Sequence, residues 1–246
     1  MSGHSKWATI KHAKGAADAK RGKIFTKLIK EISIAARMGG GNPDSNPRLR
    51  TAILKARGAN MPKDNIDRAI KKGTGELEGI TYEELTYEAY APGGVALLIE
   101  VLTDNKNRAA ADVRSLLTKA NGQLATAGAV SRLFKRQGII TFDGDKYTED
   151  EVMETALEGG AEDVSLSDGI IEVVCAPEDF ESVVNAINNK GLETMSAEIN
   201  MVAEVEVTLD NDATSKTLKL IEKLEENDDI QNVYSNINIP EGFVSE

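Results

Sequence analysis

Lysines recur near the amino terminus at a spacing that suits binding to phosphate groups. They stand at intervals of three and four residues, at Lys20, Lys23, Lys27 and Lys30. This spacing places them on one face of a helix. Ammonium groups attract phosphate backbones through Coulomb forces and counterion release. We call these four residues the lysine stripe, and we predict that it faces solvent and contacts a nucleic acid.

The segment before this helix mixes cations with the chain's only tryptophan. Its candidate residues are Lys6, Trp7, Lys11, His12 and Lys14. An indole among cations can stack on an unpaired base, and it can also anchor the segment to the helices, so the two roles are compatible. The other candidates for nucleic-acid binding are Arg21, Arg48, Arg50, Lys71 and Lys72. The alternative is a solvated basic face without a ligand, but such faces usually mix both signs of charge.

Charge is distributed unevenly along the 246 residues. Residues 1–75 carry 17 Lys and Arg against 5 Asp and Glu, whereas residues 76–246 carry 12 against 35. The net charges are therefore +12 and −23, although the whole chain carries −11. This asymmetry is typical of a nucleic-acid-binding module attached to an acidic body. The acidic body could repel nucleic acid and so orient the basic module, or it could bind a basic protein partner.

Residues suited to catalysis or metal binding are scarce. Both histidines, His4 and His12, precede the first predicted helix, and the single cysteine, Cys175, ends an apolar strand pattern. Neither a catalytic triad nor a zinc or iron–sulfur site can be assembled from them. The glycines match no phosphate-binding or dinucleotide-binding fingerprint. We therefore predict a protein that is not an enzyme and that uses no metal or cofactor.

The composition also bears on the compartment. The longest apolar run, residues 95–99, is far shorter than the ~20 residues of a membrane helix. The amino terminus meets no apolar stretch of the kind found in secretory signals. A single thiol suits a reducing environment. We expect a cytoplasmic protein without membrane contact.

Three helices are predicted within a basic domain of residues 1–75. The first covers residues 20–36, where apolar residues recur every three or four positions, and Gly39–Gly41 end it. Asn46-Pro47 begins the second, because proline suits a first helical turn, and its buried residues are Leu49, Ile53 and Ala56. Asn60–Pro62 begins the third, and Gly73 is expected to end it.

The acidic body shows strand and helix patterns in an order that indicates two sheets. Residues 138–200 have the order β-α-β-β-α-β of a ferredoxin-like domain. The flanking segments, 76–137 and 201–246, each contain too few strands to cover a sheet face. We therefore predict a multidomain α+β fold, in which these two segments form one discontinuous α+β domain interrupted by the inserted ferredoxin-like domain. Three domains in series is the rival arrangement. Asp104, Thr148 and Pro177 are expected to begin helices of this body.

Several motifs, in this order over essentially the whole chain, resemble those of the YebC family. They are GHSKW at 3–7, IKH at 10–12, AKRGK at 19–23, NPRLR at 46–50, NMP at 60–62 and YEAYAPGGV at 87–95. The family also includes PmpR-type bacterial regulators and mitochondrial translational activators of cytochrome oxidase. The resemblance implies a helical amino-terminal domain and two α+β domains, the last inserted into the second, in a bacterial cytoplasmic protein.

The resemblance also implies a function. Most of the family are probable DNA-binding transcriptional regulators, which would use the basic amino-terminal domain. The mitochondrial members and some bacterial ones are assigned to translation, so a translation factor that associates with the ribosome or its RNA is the alternative. Neither helix-turn-helix spacing nor an aromatic ribonucleoprotein motif selects between DNA and RNA. A third hypothesis is a protein-interaction module in which the acidic sheets bind the partner.

The lysine stripe offers a direct test of nucleic-acid binding. We expect that changing Lys23, Lys27 and Lys30 to Glu abolishes binding, because repulsion replaces attraction to phosphates. We also expect the circular dichroism spectrum to stay the same, since a solvent-exposed stripe contributes little to the fold. Unaltered affinity would contradict the assignment of the stripe.

Overall fold

The computed structural model describes residues 18–240 and residue 243, with side chains from residue 22 onward. Its helices are α1 (Asp18–Gly39), α2 (Pro47–Gly58), α3 (Lys63–Thr74), α4 (Lys106–Lys119), α5 (Glu149–Gly159), α6 (Phe180–Lys190) and α7 (Asn211–Glu225). Its strands are β1 (Glu83–Ala91), β2 (Val95–Thr103), β3 (Gln123–Leu124), β4 (Phe134–Asp143), β5 (Asp163–Ser167), β6 (Ile170–Cys175), β7 (Ser196–Ala203), β8 (Val207–Thr208), β9 (Ile230–Ser235) and β10 (Ile237–Asn238). The architecture is mixed α+β, with a helical region followed by sheet domains, as predicted.

Helices α1 to α3 form a small body that we call the helical head (residues 18–74). The side chain of Asn46 caps α2 by accepting a hydrogen bond from the Leu49 N–H at 3.1 Å, and Pro47 occupies the first turn as predicted. The core of the head is apolar and includes Ile32, Ala35, Leu49, Ile53, Ala56, Ile66 and Ala69. The apolar spacing in the sequence therefore identified the buried face of α2 and most of that of α1, although Ile24 at the start of the predicted α1 face is exposed.

Gly73 lies inside α3, so the prediction that it ends the helix was wrong. The helix continues to Thr74, and Gly75, with a φ of 84°, takes the left-handed conformation that ends it. A Cβ atom on Gly73 would come within 2.3 Å of the Ser33 carbonyl oxygen in α1. Glycine is therefore required at this position by the close contact between two helices, and not by a turn.

The first sheet is antiparallel and has the strand order β3-β1-β2-β9. Helices α4 and α7 cover one of its faces, and they share an apolar core with it that includes Leu97, Ile99, Val113, Ile221 and Leu224. Part of the opposite face packs against the start of β4, through Ala96, Leu98 and Phe134. The first sheet is thus packed on both faces.

The second sheet has the strand order β5-β6-β4-β7, which is the order of a ferredoxin-like unit. Helices α5 and α6 bury its apolar face, and the core includes Ile140, Phe142, Val152, Ile171 and Ile187. Its strands run from Phe134 to Ala203, so the sheet extends beyond the predicted residues 138–200 at both ends.

Strand β9 pairs with β2 although the whole second sheet lies between them in the sequence. The Asn236 side chain, just after β9, stabilises this strand pairing by accepting a hydrogen bond from the Ala96 N–H in β2 at 2.7 Å. The strands of the first sheet therefore come from both sides of residues 134–203. The domain boundaries at residues 75, 137 and 200 stay predictions.

The predicted starts of α4 and α6 need correction. Asn105, rather than Asp104, caps α4, because the carboxylate of Asp104 pairs with Arg108 instead. Helix α6 begins at Phe180, since the residues after Pro177 form a turn. Thr148 caps α5 as predicted, by accepting from the Glu151 N–H. Residues 205, 207 and 209 alternate as apolar positions, but only Val207–Thr208 form a strand, β8, which pairs in parallel with β10 outside the first sheet.

The close approach of α1 and α3 generates a test of the helical head. We expect Gly73→Ala to lower the free energy of unfolding by about 2 kcal/mol, because the added methyl group overlaps the Ser33 carbonyl oxygen. The control is Gly58→Ala in α2, where an added Cβ meets nothing within 4 Å, and which we expect to change stability by no more than about 1 kcal/mol. Urea denaturation measures both, and equal stability of the two variants would contradict the contact.

Candidate nucleic-acid interface

The lysine stripe of α1 lies beside the carboxyl end of α7. Lys23 Nζ donates a hydrogen bond to the Glu226 carbonyl oxygen at 3.1 Å, and Lys27 Nζ donates to the Glu225 carbonyl oxygen at 2.6 Å. The last carbonyl groups of a helix have no partners within the helix and carry a partial negative charge. The ammonium groups of α1 therefore cap α7.

Lys30 is buried, with 6% of its surface exposed. Its Nζ lies 2.6 Å from Asp229 Oδ1 and 2.8 Å from the Asp228 carbonyl oxygen. The prediction of a solvent-facing stripe was therefore wrong at Lys30, because oxygen acceptors of the acidic body surround its ammonium group. Changing Lys30 to Glu would place two carboxylates in one buried site. The triple reversal considered above would thus disturb the fold as well as the surface charge.

Asp229 is the centre of a buried polar network. Its Oδ2 accepts hydrogen bonds from Thr103 Oγ1 at 3.0 Å and from the Arg108 guanidinium at 2.7 Å. Burial alone raises the pKa of the Asp229 carboxyl, but hydrogen bonds from Lys30, Arg108 and Thr103 outweigh it, so the pKa lies below its usual value. Asp229 is therefore ionised at neutral pH. We call Lys30, Thr103, Arg108 and Asp229 the Asp229 network.

Arg48 joins the helical head to the first sheet. Its guanidinium bonds to Glu31 of α1 at 2.7 Å and to Glu84 of β1. Burial lowers the pKa of Arg48, but the hydrogen bonds to Glu31 and Glu84 have the larger combined effect and raise it. In this structure Arg48 therefore binds carboxylates of the protein itself.

Two further cations of α2 join the head to the second sheet. Arg50 lies 2.9 Å from a carboxylate oxygen of Glu181 in α6, and Lys55 Nζ lies 2.8 Å from Glu198 in β7. These groups are partly exposed, so each pair alone contributes little stability. Together with the Asp229 network they set how the head sits on the acidic body.

Lys71 and Lys72 remain exposed at the end of α3. Arg57, Lys63 and Arg68 are also exposed, and within the described part of the chain none of these five residues forms an ion pair. The last three were missed in the sequence, although Arg68 shares a helix face with Lys71 and Lys72 at three- and four-residue spacing. Four of them lie in α3, and Arg57 lies in the last turn of α2. We call these five residues the α3 basic surface.

Seven of the predicted site residues have no described side chain. Lys6, Trp7, Lys11, His12 and Lys14 lie outside the described residues. Lys20 and Arg21 lie in α1, but their side chains fall outside the described part. The two histidines of the chain are likewise outside it.

The described residues show no arrangement for metal binding. No group of three His, Cys, Asp or Glu side chains there could hold a metal ion. Cys175 is fully buried in the core of the second sheet, and burial is the main cause that raises the pKa of its thiol to about 11. The thiol is thus protonated at neutral pH and packs as a small apolar residue. No described helix is long and apolar enough to cross a membrane.

Fold and charge together define a class of protein. It is an α+β protein whose basic helical head is ion-paired to an acidic body of two antiparallel sheets. The chain belongs to the TACO1/YebC family. Residues 5–76 match the model described as "TACO1/YebC protein N-terminal domain", and residues 82–237 match "TACO1/YebC second and third domain".

Two relatives are similar to this chain over 98% and 100% of their own lengths. A protein of Treponema denticola is 64% identical over 243 residues, which are 99% of this chain and 98% of the relative. A protein of Treponema pallidum is 62% identical over 244 residues, which are 99% of this chain and 100% of the relative. Both are named "Probable transcriptional regulatory protein". The crystal structure of a conserved hypothetical protein from Aquifex aeolicus has a TM-score of 0.84 at 46% identity, with 93% of this chain and 95% of that chain covered.

The buried charges of the Asp229 network generate a stability test. We expect Asp229→Ala to lower the free energy of unfolding by about 3 kcal/mol, because it leaves the buried Lys30 ammonium without its carboxylate. Adding Lys30→Met should restore part of the loss, since it removes that unpaired charge. The control is Asp104→Ala, which removes another partner of Arg108 at a more exposed position and should cost less than about 1 kcal/mol. Urea denaturation measures these free energies of unfolding. Equal values for the Asp104→Ala and Asp229→Ala variants would contradict the network.

Proposed function

We propose that the protein is a transcriptional regulator that binds DNA through the helical head, with the α3 basic surface in contact with phosphates. The observation that carries this proposal is that these five cations are exposed and have no ion-pair partner among the described residues. Cations already held by carboxylates gain less from a phosphate, because the first partner must be released. The names of the relatives support the regulatory role.

Apart from Lys23, Lys27 and Lys30, which bind the end of α7, the other predicted residues take two roles in this proposal. Lys6, Trp7, Lys11, His12, Lys14, Lys20 and Arg21 extend the interface from the amino-terminal side, as the charge of residues 1–75 suggests. Arg48 and Arg50 hold the head in place through their carboxylate partners. The acidic body then repels duplex DNA from the opposite side and favours approach to the head.

This function requires binding alone, without a catalytic step, a metal or a cofactor. Contacts between cations and phosphates position a protein on DNA and dominate its affinity, whereas base contacts provide the sequence preference. The α3 basic surface accounts for the first of these two contributions. Trp7 and His12, in the segment before α1, are the proposed candidates for contacts with bases.

A charge reversal on α3 tests the proposal. We expect Lys71→Glu with Lys72→Glu to reduce affinity for duplex DNA by about tenfold or more, and to flatten the salt dependence by about 0.9 log unit per lost phosphate contact. Fluorescence anisotropy over a salt series measures both quantities. The control is Lys216→Glu with Lys219→Glu on the exposed side of α7, which makes the same change in net charge.

The outcomes distinguish the proposal from its alternatives. Equal affinity of the α3 variant and the control would refute the α3 basic surface. If the wild-type protein bound ribosomal RNA more tightly than DNA at matched salt, and sedimented with ribosomes, a role in translation would replace the proposed role in transcription. If residues 76–246 retrieved the same cellular partners as the whole chain, the acidic body would be the binding element.

A further inference from the structure

We infer that the lysine stripe is a second phosphate-binding surface, closed in this structure by the carboxyl end of α7, and that a bound nucleic acid competes with that helix end for the same ammonium groups. This inference rests on the proposed function and adds its regulation. The helical head then has two arrangements. In the closed one the end of α7 binds Lys23, Lys27 and Lys30, and in the open one these ammonium groups are available to phosphates.

The contacts of the stripe are the first argument for this competition. Lys23, Lys27 and Lys30 all donate to main-chain carbonyl oxygens of residues 225–228, over distances from 2.6 to 3.1 Å. An ammonium group has three donors and no acceptor, so it binds a carbonyl, a carboxylate or a phosphate oxygen in the same way. Three lysines at helical spacing thus bind a row of oxygens that belongs to the protein.

The charge of the covering segment is the second argument. Glu225, Glu226, Asp228 and Asp229 follow one another with only Asn227 between them. The negative end of the α7 dipole adds to their charge. The stripe therefore faces a concentration of negative charge and oxygen acceptors of the kind that a phosphate backbone presents. A nucleic acid attracts the stripe for the same physical reason as the end of α7 does.

Burial shows that a phosphate and the end of α7 exclude each other at Lys30, whereas Lys23 is exposed and Lys27 is half-buried. Lys30 is 6% exposed, and its ammonium also lies 2.6 Å from Asp229 Oδ1. A phosphate can reach Lys30 only if α1 separates from the end of α7. The apparent affinity of the stripe is therefore its intrinsic affinity multiplied by the open fraction. The Asp229 network sets that fraction.

Amide hydrogen exchange of the full-length protein, with and without a mixed-sequence DNA duplex, tests the opening directly. We expect DNA to speed exchange at the backbone amides of residues 226–230, because the end of α7 loses its lysine partners. A ligand that bound only elsewhere on the head would leave these amides unchanged or protect them. Unchanged or slower exchange there, at saturating DNA, would overturn the inference.

Two variants test the competition through affinity. Asp229→Asn removes the charge that holds Lys30, and Thr103→Val removes one hydrogen bond to Asp229 without changing net charge. Each should raise affinity for the duplex, by about threefold or more for Asp229→Asn, since the open fraction increases. The control is Asp104→Asn, which removes one negative charge beside the same Arg108 but makes no contact with Lys30.

The results separate this inference from the proposed function. The inference fails and the proposed function stands if the wild-type protein binds DNA, Asp229→Asn binds no more tightly than the control, and Thr103→Val binds no more tightly than the wild type, with both variants shown to be folded by circular dichroism. If neither the wild-type protein nor the variants bind DNA, the proposed function itself has failed. Tighter binding by Thr103→Val supports competition most directly, because its net charge equals that of the wild type.

Discussion

One buried carboxylate, that of Asp229, connects three separate parts of the chain. It binds Lys30 of α1, Thr103 at the end of β2 and Arg108 of α4. Removing two opposite charges from water is costly, and this cost is recovered only when every oxygen and every ammonium hydrogen finds a good partner. The network is therefore stable only when complete, and completion requires the head, the first sheet and the α7–β9 connection to take one relative arrangement.

This constraint explains why some cations of the head contact the acidic body and others do not. Lys30, Arg48, Arg50 and Lys55 face carboxylates of the acidic body, and Lys23 and Lys27 face helix carbonyl groups. The cations of the α3 basic surface form no ion pair among the described residues, and the proposed function assigns them to an external partner. The negative charge of the body thus has a structural use, since it neutralises one side of the head and leaves the other side positive. The net charge of −11 conceals this division.

The sequence predicted those features that depend on residues close together along the chain. Helical spacing identified α1, α2 and their apolar faces, and the β-α-β-β-α-β pattern identified the second sheet, because both reflect local periodicity. Contacts between distant residues could not be found in this way. The partner of Lys30 lies 199 residues further along the chain, and the role of Gly73 depends on Ser33 in another helix. The exposed candidates on α3 needed the fold, because only the fold shows which cations are already paired.

The return of β9 to β2 also determines the order in which the protein can be completed during synthesis. The second sheet uses only strands between residues 134 and 203, so it can form while the end of the chain is still absent. Until β9 arrives, β2 has an unpaired edge, and such edges can pair with other chains. Asp229 lies one residue before β9. The carboxylate of Asp229 and the strand that closes the open edge therefore leave the ribosome together, and before that moment the head is held on the body by the partly exposed ion pairs of Arg48, Arg50 and Lys55, without Asp229.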